Sequence, residues 1–226
     1  MAIDVALLER GEPVVRLYGW DPGCISLGYT QSRNDVDGVL ANELGLDVVE
    51  RPTGGGAIYH APSELTYAVV LPTGHPGLPA DLYASYEHMA SGVVEGLRSL
   101  GVDASYRRAQ GGRDPFCYLR EAGVAIVAGG RKISGGAQRR TRRAILQHGT
   151  IIVELDADLV ARLFFEEVQR VHAGVGSLQD LGIEVSRTRL IEAVVAGYER
   201  SFPSDWDVAG PEASDVLLAL TTSAAT

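Results

Sequence analysis

The sequence contains a single lysine, and its neighbours point to chemistry. Of the 20 basic residues, 19 are Arg and one is Lys132. A buried Lys can lose its proton, whereas Arg stays charged, so the exception favours a role in proton transfer. Lys132 stands in the segment Gly-Arg-Lys-Ile-Ser-Gly-Gly, whose small residues would let a substrate close over it. A β-hairpin with a basic tip is the alternative interpretation of this segment.

A run of three glycines forms a second candidate site. Arg51 is followed by Pro, Thr and the glycines at 54–56, and His60 stands four residues further on. Glycines let backbone N–H groups approach a ligand closely, and the Arg51 guanidinium can hold a carboxylate or a phosphate. A plain hairpin turn is the alternative. The sequence has neither a Walker pattern nor a Gly-x-Gly-x-x-Gly motif in a βαβ unit, which argues against the usual nucleotide-binding loops.

The two cysteines differ in their surroundings. Cys24 lies in the apolar segment Cys-Ile-Ser-Leu-Gly and is predicted to be a small core residue. Cys117 follows a glycine-containing loop inside a basic segment, where positive charge would stabilise a thiolate, so it is a candidate nucleophile or a second core residue. Two cysteines do not make a disulfide framework and fit a reducing cytoplasm. The scattered His and Cys positions predict no metal site.

Charge is unevenly distributed along the chain. The formal net charge is −9, which argues against general nucleic-acid binding. The segment 107–143 nevertheless holds ten basic and two acidic residues, a net charge of +8 that leaves −17 on the remainder. The segment is either a solvated loop balanced by acidic neighbours or a face for an acidic partner or a phosphate.

The composition predicts one folded domain over residues 1–226, in which the candidate site residues could be brought together. The chain is 46% hydrophobic with a mean hydropathy of +0.05, values typical of a globular protein rather than a disordered one. No apolar run approaches the roughly 20 residues of a membrane helix, and charges interrupt the N-terminus where a secretion signal would be apolar. We therefore expect a cytoplasmic protein.

Hydrophobic periodicity predicts a mixed α+β order with strands in consecutive hairpin-like runs. Helices are expected at 2–10, 34–44 with Asn34 as its N-cap, 80–99, 156–170, 186–201 with Ser186 as its cap, and 211–221. Strands are expected at 13–19, 24–29, 46–50, 56–60, 64–72, 103–106, 123–128, 131–138 and 144–154.

Taken together, these segments resemble the family of lipoate/octanoate transferases and ligases. The resemblance covers most of the chain, through MAIDVALLE, WDPGCISLGYTQ, VERPTGGGAIYH, ELTYAVV, GRKISGGAQRR and ILQHGTII, in that order. It implies an α+β fold with a mixed, largely antiparallel sheet and flanking helices. This is the cofactor-transferase fold shared with biotin protein ligases and class II aminoacyl-tRNA synthetases.

Two chemistries occur in that family. Lipoate–protein ligases use ATP and Mg to activate a free acid as an acyl-adenylate, whereas octanoyltransferases pass octanoate through a Cys acyl-enzyme and need no cofactor. The chain is more similar to the Cys-dependent octanoyltransferases of the LipM type, because ELTYAVV follows the glycine loop and Cys117 stands 15 residues before Lys132. One departure from the family pattern is Glu50, which replaces a second Arg before the loop.

The resemblance implies roles for individual residues. Cys117 would be the nucleophile, and Lys132 would lower its pKa and serve as general base. No metal is implied. The implied substrate-binding residues are Arg51, Thr53, Gly54, Gly55, Gly56, His60, Gly135, Gly136, Gln147, His148 and Gly149.

The resemblance also implies protein partners. The donor would be octanoyl-acyl carrier protein, an acidic protein for which the +8 segment offers a landing surface. The acceptor would be a lysine of a glycine-cleavage H protein or of a lipoyl domain of a 2-oxoacid dehydrogenase, a choice that the sequence leaves open. We expect a monomer that binds neither nucleic acid nor a membrane.

Overall fold

In the part of the chain that the structure describes, two β-sheets, one of eight strands and one of three, carry the fold. The computed structural model describes residues 1–108, 123–202, 206–209 and 215–220, so the predicted nucleophile Cys117 lies outside the described residues. The strands are β1 (Val14–Tyr18), β2 (Cys24–Leu27), β3 (Asp47–Glu50), β4 (Ile58–His60), β5 (Leu65–Pro72), β6 (Ser105–Arg108), β7 (Val124–Ala128), β8 (Arg131–Arg140), β9 (Ala144–Ile151), β10 (Trp206–Ala209) and β11 (Asp215–Leu220).

The large sheet has the order β10-β11-β1-β5-β9-β8-β7-β6, and every neighbouring pair in it is antiparallel. The small sheet has the order β3-β2-β4, with β2 parallel to β3 and antiparallel to β4. The predicted α+β class with a mixed, largely antiparallel sheet is confirmed.

Helices cover both sheets. Within the described ranges, no helix combines the length and apolar character needed to cross a membrane. The helices are α1 (Ala2–Arg10), α2 (Gly38–Glu43), α3 (Leu82–Met89), α4 (Ser91–Ser99), α5 (Ala157–Leu163), α6 (Val168–Gly174) and α7 (Arg187–Ser201).

Three of the predicted helices are present with different bounds. Asn34 lies in a short 3-10 helix, and α2 begins later because the Asp37 carboxylate accepts from the N–H groups of its first turn. The predicted helix 80–99 is divided at Ala90 into α3 and α4, and the predicted helix 156–170 is divided into α5 and α6. In both regions the apolar periodicity continues through the break, so it does not reveal the change of direction.

The helix predicted at 211–221 is wrong, because residues 215–220 form β11. Its apolar run is short enough to suit either element, and periodicity alone does not separate them. The tertiary context decides the outcome: β11 pairs antiparallel with β1 from Val14↔Ala219 to Tyr18↔Asp215 and supplies hydrogen-bond partners to that strand.

The main core lies between the large sheet and helices α3, α4 and α7. Met89, Val93, Leu97 and Val194 are fully or almost fully buried there. Helices α4 and α7 cross closely at Gly197, where an added Cβ would lie 2.1 Å from the carbonyl oxygen of Gly92. A second core joins the small sheet to α2, α5 and α6.

Helix α1 packs on the large sheet and buries a carboxylate. Asp4 is fully buried, and its oxygens accept from Arg16 Nη1 and from Tyr18 Oη, each at 2.8 Å. Burial by itself raises the pKa of Asp4, but the nearby His148 ring, the Tyr18 hydroxyl and the Arg16 guanidinium outweigh it and lower the pKa to about 2. The ionised carboxylate therefore ties α1 to β1.

This ion pair predicts acid-sensitive stability. In the unfolded chain Asp4 would titrate at about 3.9. Its contribution to the free energy of unfolding is therefore present above that pH and is lost as the pH falls towards about 2. We expect the free energy of unfolding of the wild type to exceed that of Asp4→Asn, and the difference to shrink by about 2–3 kcal/mol between about pH 5 and pH 2. Urea unfolding across this range measures the difference. The exposed Asp103→Asn serves as the control for the loss of one charge, and a pH-independent difference for Asp4→Asn would contradict the assignment.

Candidate active site

A cavity lies where the small sheet meets β5, β8 and β9 of the large sheet. Its volume is about 230 Å³, below the roughly 300–1,000 Å³ of drug-sized ligand sites, so it suits a small ligand. We call it the intersheet cavity. The described residues that line it are Met1, Ser26, Arg51, Gly54, Gly55, Ile58, His60, Thr66, Tyr86, Val124, Ala125, Lys132, Gly135, Gly136, Ala137, Gln138, His148, Gly149 and Thr150.

Lys132 reaches this cavity because of an irregularity in β8. The pairing of β7 with β8 shifts between Ile126↔Ser134 and Val127↔Lys132, so Ile133 has no opposite residue. Such a bulge re-aims the side chains beside it. Lys132 is 7% exposed, and a Cβ added at Gly135 would lie 2.6 Å from its Cε and 2.8 Å from its Nζ. The lysine chain therefore lies over the bare backbone of Gly135.

The loop after α6 holds the backbone at Lys132. The Gly176 N–H donates to the Lys132 carbonyl at 3.0 Å, and Val175 forms an isolated parallel bridge with Lys132. The neighbouring Arg131 forms an ion pair with Asp180 at 3.2 Å. The backbone at Lys132 is thus held by Gly176 and Val175, and the side chain of the preceding residue is held by Asp180.

The glycine loop is shaped by Arg51, which is 3% exposed. Its guanidinium donates to the carbonyls of Gly54 at 2.9 Å, Gly56 at 2.6 Å and Ser26 at 2.9 Å, and to Ser26 Oγ at 3.2 Å. Arg51 was predicted to hold a carboxylate or phosphate, whereas these bonds make it the residue that fastens the loop to β2. The approach is close, because a Cβ on Gly28 would lie 2.1 Å from the Gly55 carbonyl oxygen.

His148 links the same loop to α1. Its Nε2 is 2.6 Å from Thr53 Oγ1, and its Nδ1 is 3.6 Å from Asp4 Oδ2, which is too long for a direct hydrogen bond. Burial lowers the pKa of His148, so the ring is neutral at pH 7. A neutral ring in this place accepts or donates one bond to Thr53 and steadies the loop.

His60 stands in a second chain of hydrogen bonds on the other side of the loop. Its Nε2 is 2.8 Å from Ser26 Oγ, and its Nδ1 is 2.7 Å from Glu64 Oε1. Thr66 Oγ1 donates to the same Glu64 oxygen at 2.7 Å, and the Trp20 ring stacks on His60 with centroids 4.3 Å apart. Ser26, His60 and Glu64, at most 4% exposed, form what we call the Ser26–His60–Glu64 relay.

The other predicted site residues fall into two groups. Gly136 and Gly149 line the intersheet cavity together with Gly54, Gly55 and Gly135, as described above. Thr53, Gly56 and Gln147 are not among its described lining residues. Gln147 instead donates to the Tyr86 carbonyl at 3.2 Å and accepts from Gln138 Nε2 at 2.8 Å, so it braces β9 against α3 and β8.

Part of the basic segment makes contacts with other parts of the protein surface. Arg108 pairs with Glu87 at 2.6 Å, and Arg139 donates to the Pro52 carbonyl at 3.1 Å. Arg142 and Arg143 are exposed in the turn between β8 and β9. Arg108 and Arg139 are exposed as well, so the charge of the segment is partly engaged in contacts and its exposed part extends beyond this turn.

Three buried polar residues at or near the site were not predicted from the sequence. Ser26 is the one hydroxyl in an apolar strand, Glu64 stands four residues after His60, and Asp4 stands four residues before Leu8 on the buried side of α1. A polar residue at a position where the pattern calls for an apolar one is the signal that could have revealed them. Cys24, in contrast, is buried as predicted, and burial raises the pKa of its thiol to about 12.

The geometry provides one amine, two imidazoles and several bare backbone segments around a small cavity. This set suits proton transfer and the binding of a carbonyl oxygen by backbone N–H groups. Within the described residues, no group of three or more His, Cys, Asp or Glu side chains is arranged to hold a metal ion.

Comparisons with known proteins agree with this arrangement. The chain is 37% identical over 221 residues to "Octanoyltransferase LipM" of Kyrpidia tusciae, covering 88% of this chain and 80% of that protein. Among solved structures, lipoate-protein ligase A bound with ATP has a TM-score of 0.76 at 27% identity, covering 90% of this chain and 80% of the other. A bipartite lipoate protein ligase from Thermoplasma acidophilum, studied with its E2 lipoyl domain, has a TM-score of 0.73 at 25% identity, covering 90% and 78%.

The family profile of the lipoyl protein ligase A/B catalytic domain matches residues 1–199, a range that contains both sheets' site-forming strands and Lys132. This match and the relative at 37% identity agree on one family. The chain belongs to the lipoyl protein ligase A/B catalytic domain family.

Proposed function

We propose that this chain is an octanoyltransferase of lipoate biosynthesis, which moves octanoate from acyl carrier protein through a Cys117 acyl-enzyme to a lysine of a lipoyl-accepting protein. The single observation that carries the proposal is the burial of the chain's only lysine in a small, glycine-lined cavity, in a chain 37% identical to an octanoyltransferase. A buried lysine amine is a suitable partner for a thiol that must lose its proton.

In the first half-reaction Lys132 accepts the proton of the Cys117 thiol. The thiolate attacks the thioester carbonyl, a new C–S bond forms to Cys117, and the C–S bond to the carrier breaks. The departing carrier thiolate takes the proton back from Lys132, so the step is balanced. Backbone N–H groups of the glycine segments at 54–56 or 135–136 are suited to hold the oxyanion, a role worth about 3 kcal/mol per donor.

The intersheet cavity suits the acyl chain. Ile58, Val124, Ala125 and Ala137 provide apolar wall on several sides, and the glycines add no side chains that would fill the space. The lining also includes polar groups, among them Lys132 and the two histidines. This combination suits a ligand with an apolar tail and one reactive carbonyl.

The acyl-enzyme gives a direct test. Mixed with octanoyl carrier protein and no ATP, the wild type should gain the mass of one octanoyl group, measured by intact-protein mass spectrometry. Cys117→Ser should not gain it, because a serine hydroxyl is a far weaker nucleophile at neutral pH. Cys24→Ser should gain it as the wild type does, since the Cys24 thiol stays protonated.

The opposite result has a definite meaning. If no adduct forms, and if activity requires ATP and free lipoate and survives Cys117→Ala, the chain is an ATP-dependent lipoate–protein ligase. The structural likeness to a ligase bound with ATP makes this the second candidate. Its cofactors would be ATP and Mg, whereas the octanoyltransferase needs none.

Gly135 offers a test of Lys132 that leaves the fold intact. In Gly135→Ala the contacts of the new Cβ with the described residues are with the end of the Lys132 side chain, which must move aside. We expect the turnover number to fall by about 10²-fold, as small displacements of reacting groups do, with almost no change in melting temperature. Gly149→Ala is the contrasting variant, because its Cβ would lie 2.3 Å from the Gly135 carbonyl oxygen and should reduce stability as well. Full activity of Gly135→Ala would remove Lys132 from the mechanism.

Acidic carrier proteins would dock on the exposed turn between β8 and β9. The double variant Arg142→Glu/Arg143→Glu should raise the Michaelis constant for octanoyl carrier protein severalfold at low ionic strength, with the effect fading as salt is added. The matched control Arg162→Glu/Arg189→Glu makes the same change in net charge on exposed positions of α5 and α7. Equal effects of the two double variants would mean that net charge, and not this turn, attracts the carrier.

A further inference from the structure

The transfer to the acceptor requires more proton uptake than one lysine can provide. The acceptor lysine arrives as an ammonium group, and the amide product keeps one hydrogen on that nitrogen, so two protons must leave it. During this step the N–C bond forms, the C–S bond breaks and the electron pair leaves on the Cys117 sulfur. Lys132, as an uncharged amine, takes one proton and ends as the ammonium partner of the thiolate. The second proton needs another acceptor.

We infer that the Ser26–His60–Glu64 relay takes this second proton, an inference that rests on the proposed function. The Ser26 hydroxyl accepts a hydrogen from the attacking nitrogen while it passes its own hydrogen to His60 Nε2. His60 becomes an imidazolium and later returns the proton to water. No atom other than hydrogen moves in the relay.

Hydrogen bonding fixes the direction of this relay. An ionised Glu64 only accepts hydrogen bonds, so at 2.7 Å the neutral His60 carries its hydrogen on Nδ1. Its Nε2 is then an acceptor, and the Ser26 hydroxyl at 2.8 Å must be the donor to it. Arg51 Nη1 donates to one lone pair of Ser26 Oγ, which leaves the other for a substrate N–H.

The Glu64 carboxylate is in direct contact with the His60 ring. The Glu64 carboxylate, 3% exposed, stabilises the imidazolium at contact distance. Other charged or titratable groups around the relay include Arg51 across Ser26, Cys24 in the opposite position of β2, and His148. Near Glu64 they include Tyr18, Tyr59 and Arg187, whose Nη1 donates to the Glu64 carbonyl at 3.1 Å. Glu64 is thus the group that offsets the positive charge of Arg51.

His148 is the less suitable base of the two histidines. Its Nδ1 lies 3.6 Å from the nearest carboxylate oxygen, and burial lowers its pKa. Its Nε2 points to Thr53, which is not among the described residues that line the cavity. Ser26 and His60 both line it. Glu64 acts through His60 and is therefore a positioning residue.

Two nucleophiles that carry different numbers of protons to be lost can distinguish proton uptake by the relay from a purely structural role. Hydroxylamine is uncharged at neutral pH and loses a single proton on forming the hydroxamate, so Lys132 alone suffices for it. A protein lysine loses two. A relay defect should therefore slow discharge of the acyl-enzyme to a lipoyl domain and spare discharge to hydroxylamine.

The experiment uses the octanoylated full-length enzyme, freed of donor and mixed with either nucleophile, with loss of the adduct followed by intact mass. His60→Gln should discharge to the lipoyl domain about 10²–10⁴-fold more slowly than the wild type, and to hydroxylamine at close to the wild-type rate. Ser26→Ala and Glu64→Gln should show the same selectivity and serve if His60→Gln fails to fold. His75→Gln, a histidine outside the cavity lining, should match the wild type with both nucleophiles.

The outcomes are distinct. Equal slowing with both nucleophiles would mean that the relay is only structural, and unchanged discharge to the lipoyl domain would mean that it takes no proton; either result overturns the inference. Failure of the wild type to form any octanoyl adduct would instead overturn the proposed function.

Discussion

The bonds of the Arg51 guanidinium are the interaction on which the site depends. They join two loop carbonyls, a strand carbonyl and a hydroxyl, so one buried cation fastens the glycine loop to the small sheet. A buried charge is tolerated only where it is paired and hydrogen-bonded, which is why so many acceptors converge on it. The loop that Arg51 holds in place forms one wall of the intersheet cavity through Gly54 and Gly55.

The buried polar groups near Arg51 also have hydrogen-bond partners. His148 reaches the loop through Thr53, and His60 reaches Ser26, which also accepts from Arg51. Carboxylates stand behind both rings, at 2.7 Å in Glu64 and at 3.6 Å in Asp4. The difference of about one ångström means that His60 is hydrogen-bonded to its carboxylate whereas His148 is not, although both belong to the same buried network.

Much of the fold was predicted from the sequence, and so were Lys132 and the glycine loop as candidate site residues. The reasons why some elements were predicted and others were not differ from one element to the next. Helix α7 begins after Ser186 as expected, because its cap and its periodicity are local signals. The strand at 215–220 was mistaken for a helix because its partner β1 lies about two hundred residues away in the chain. Lys132 and the glycine loop were predicted from residue types alone. The hydrogen bonds that Arg51 makes to Ser26, and that Asp4 accepts from Arg16, join segments that are distant in the chain. Local sequence patterns therefore do not predict them.

The order of the large sheet determines which strands lie at its borders. Among the described strands, β10 and β6 stand at its two ends. By covering β1, strand β11 moves the open border of the sheet away from the strand that holds Arg16 and the buried carboxylate of α1.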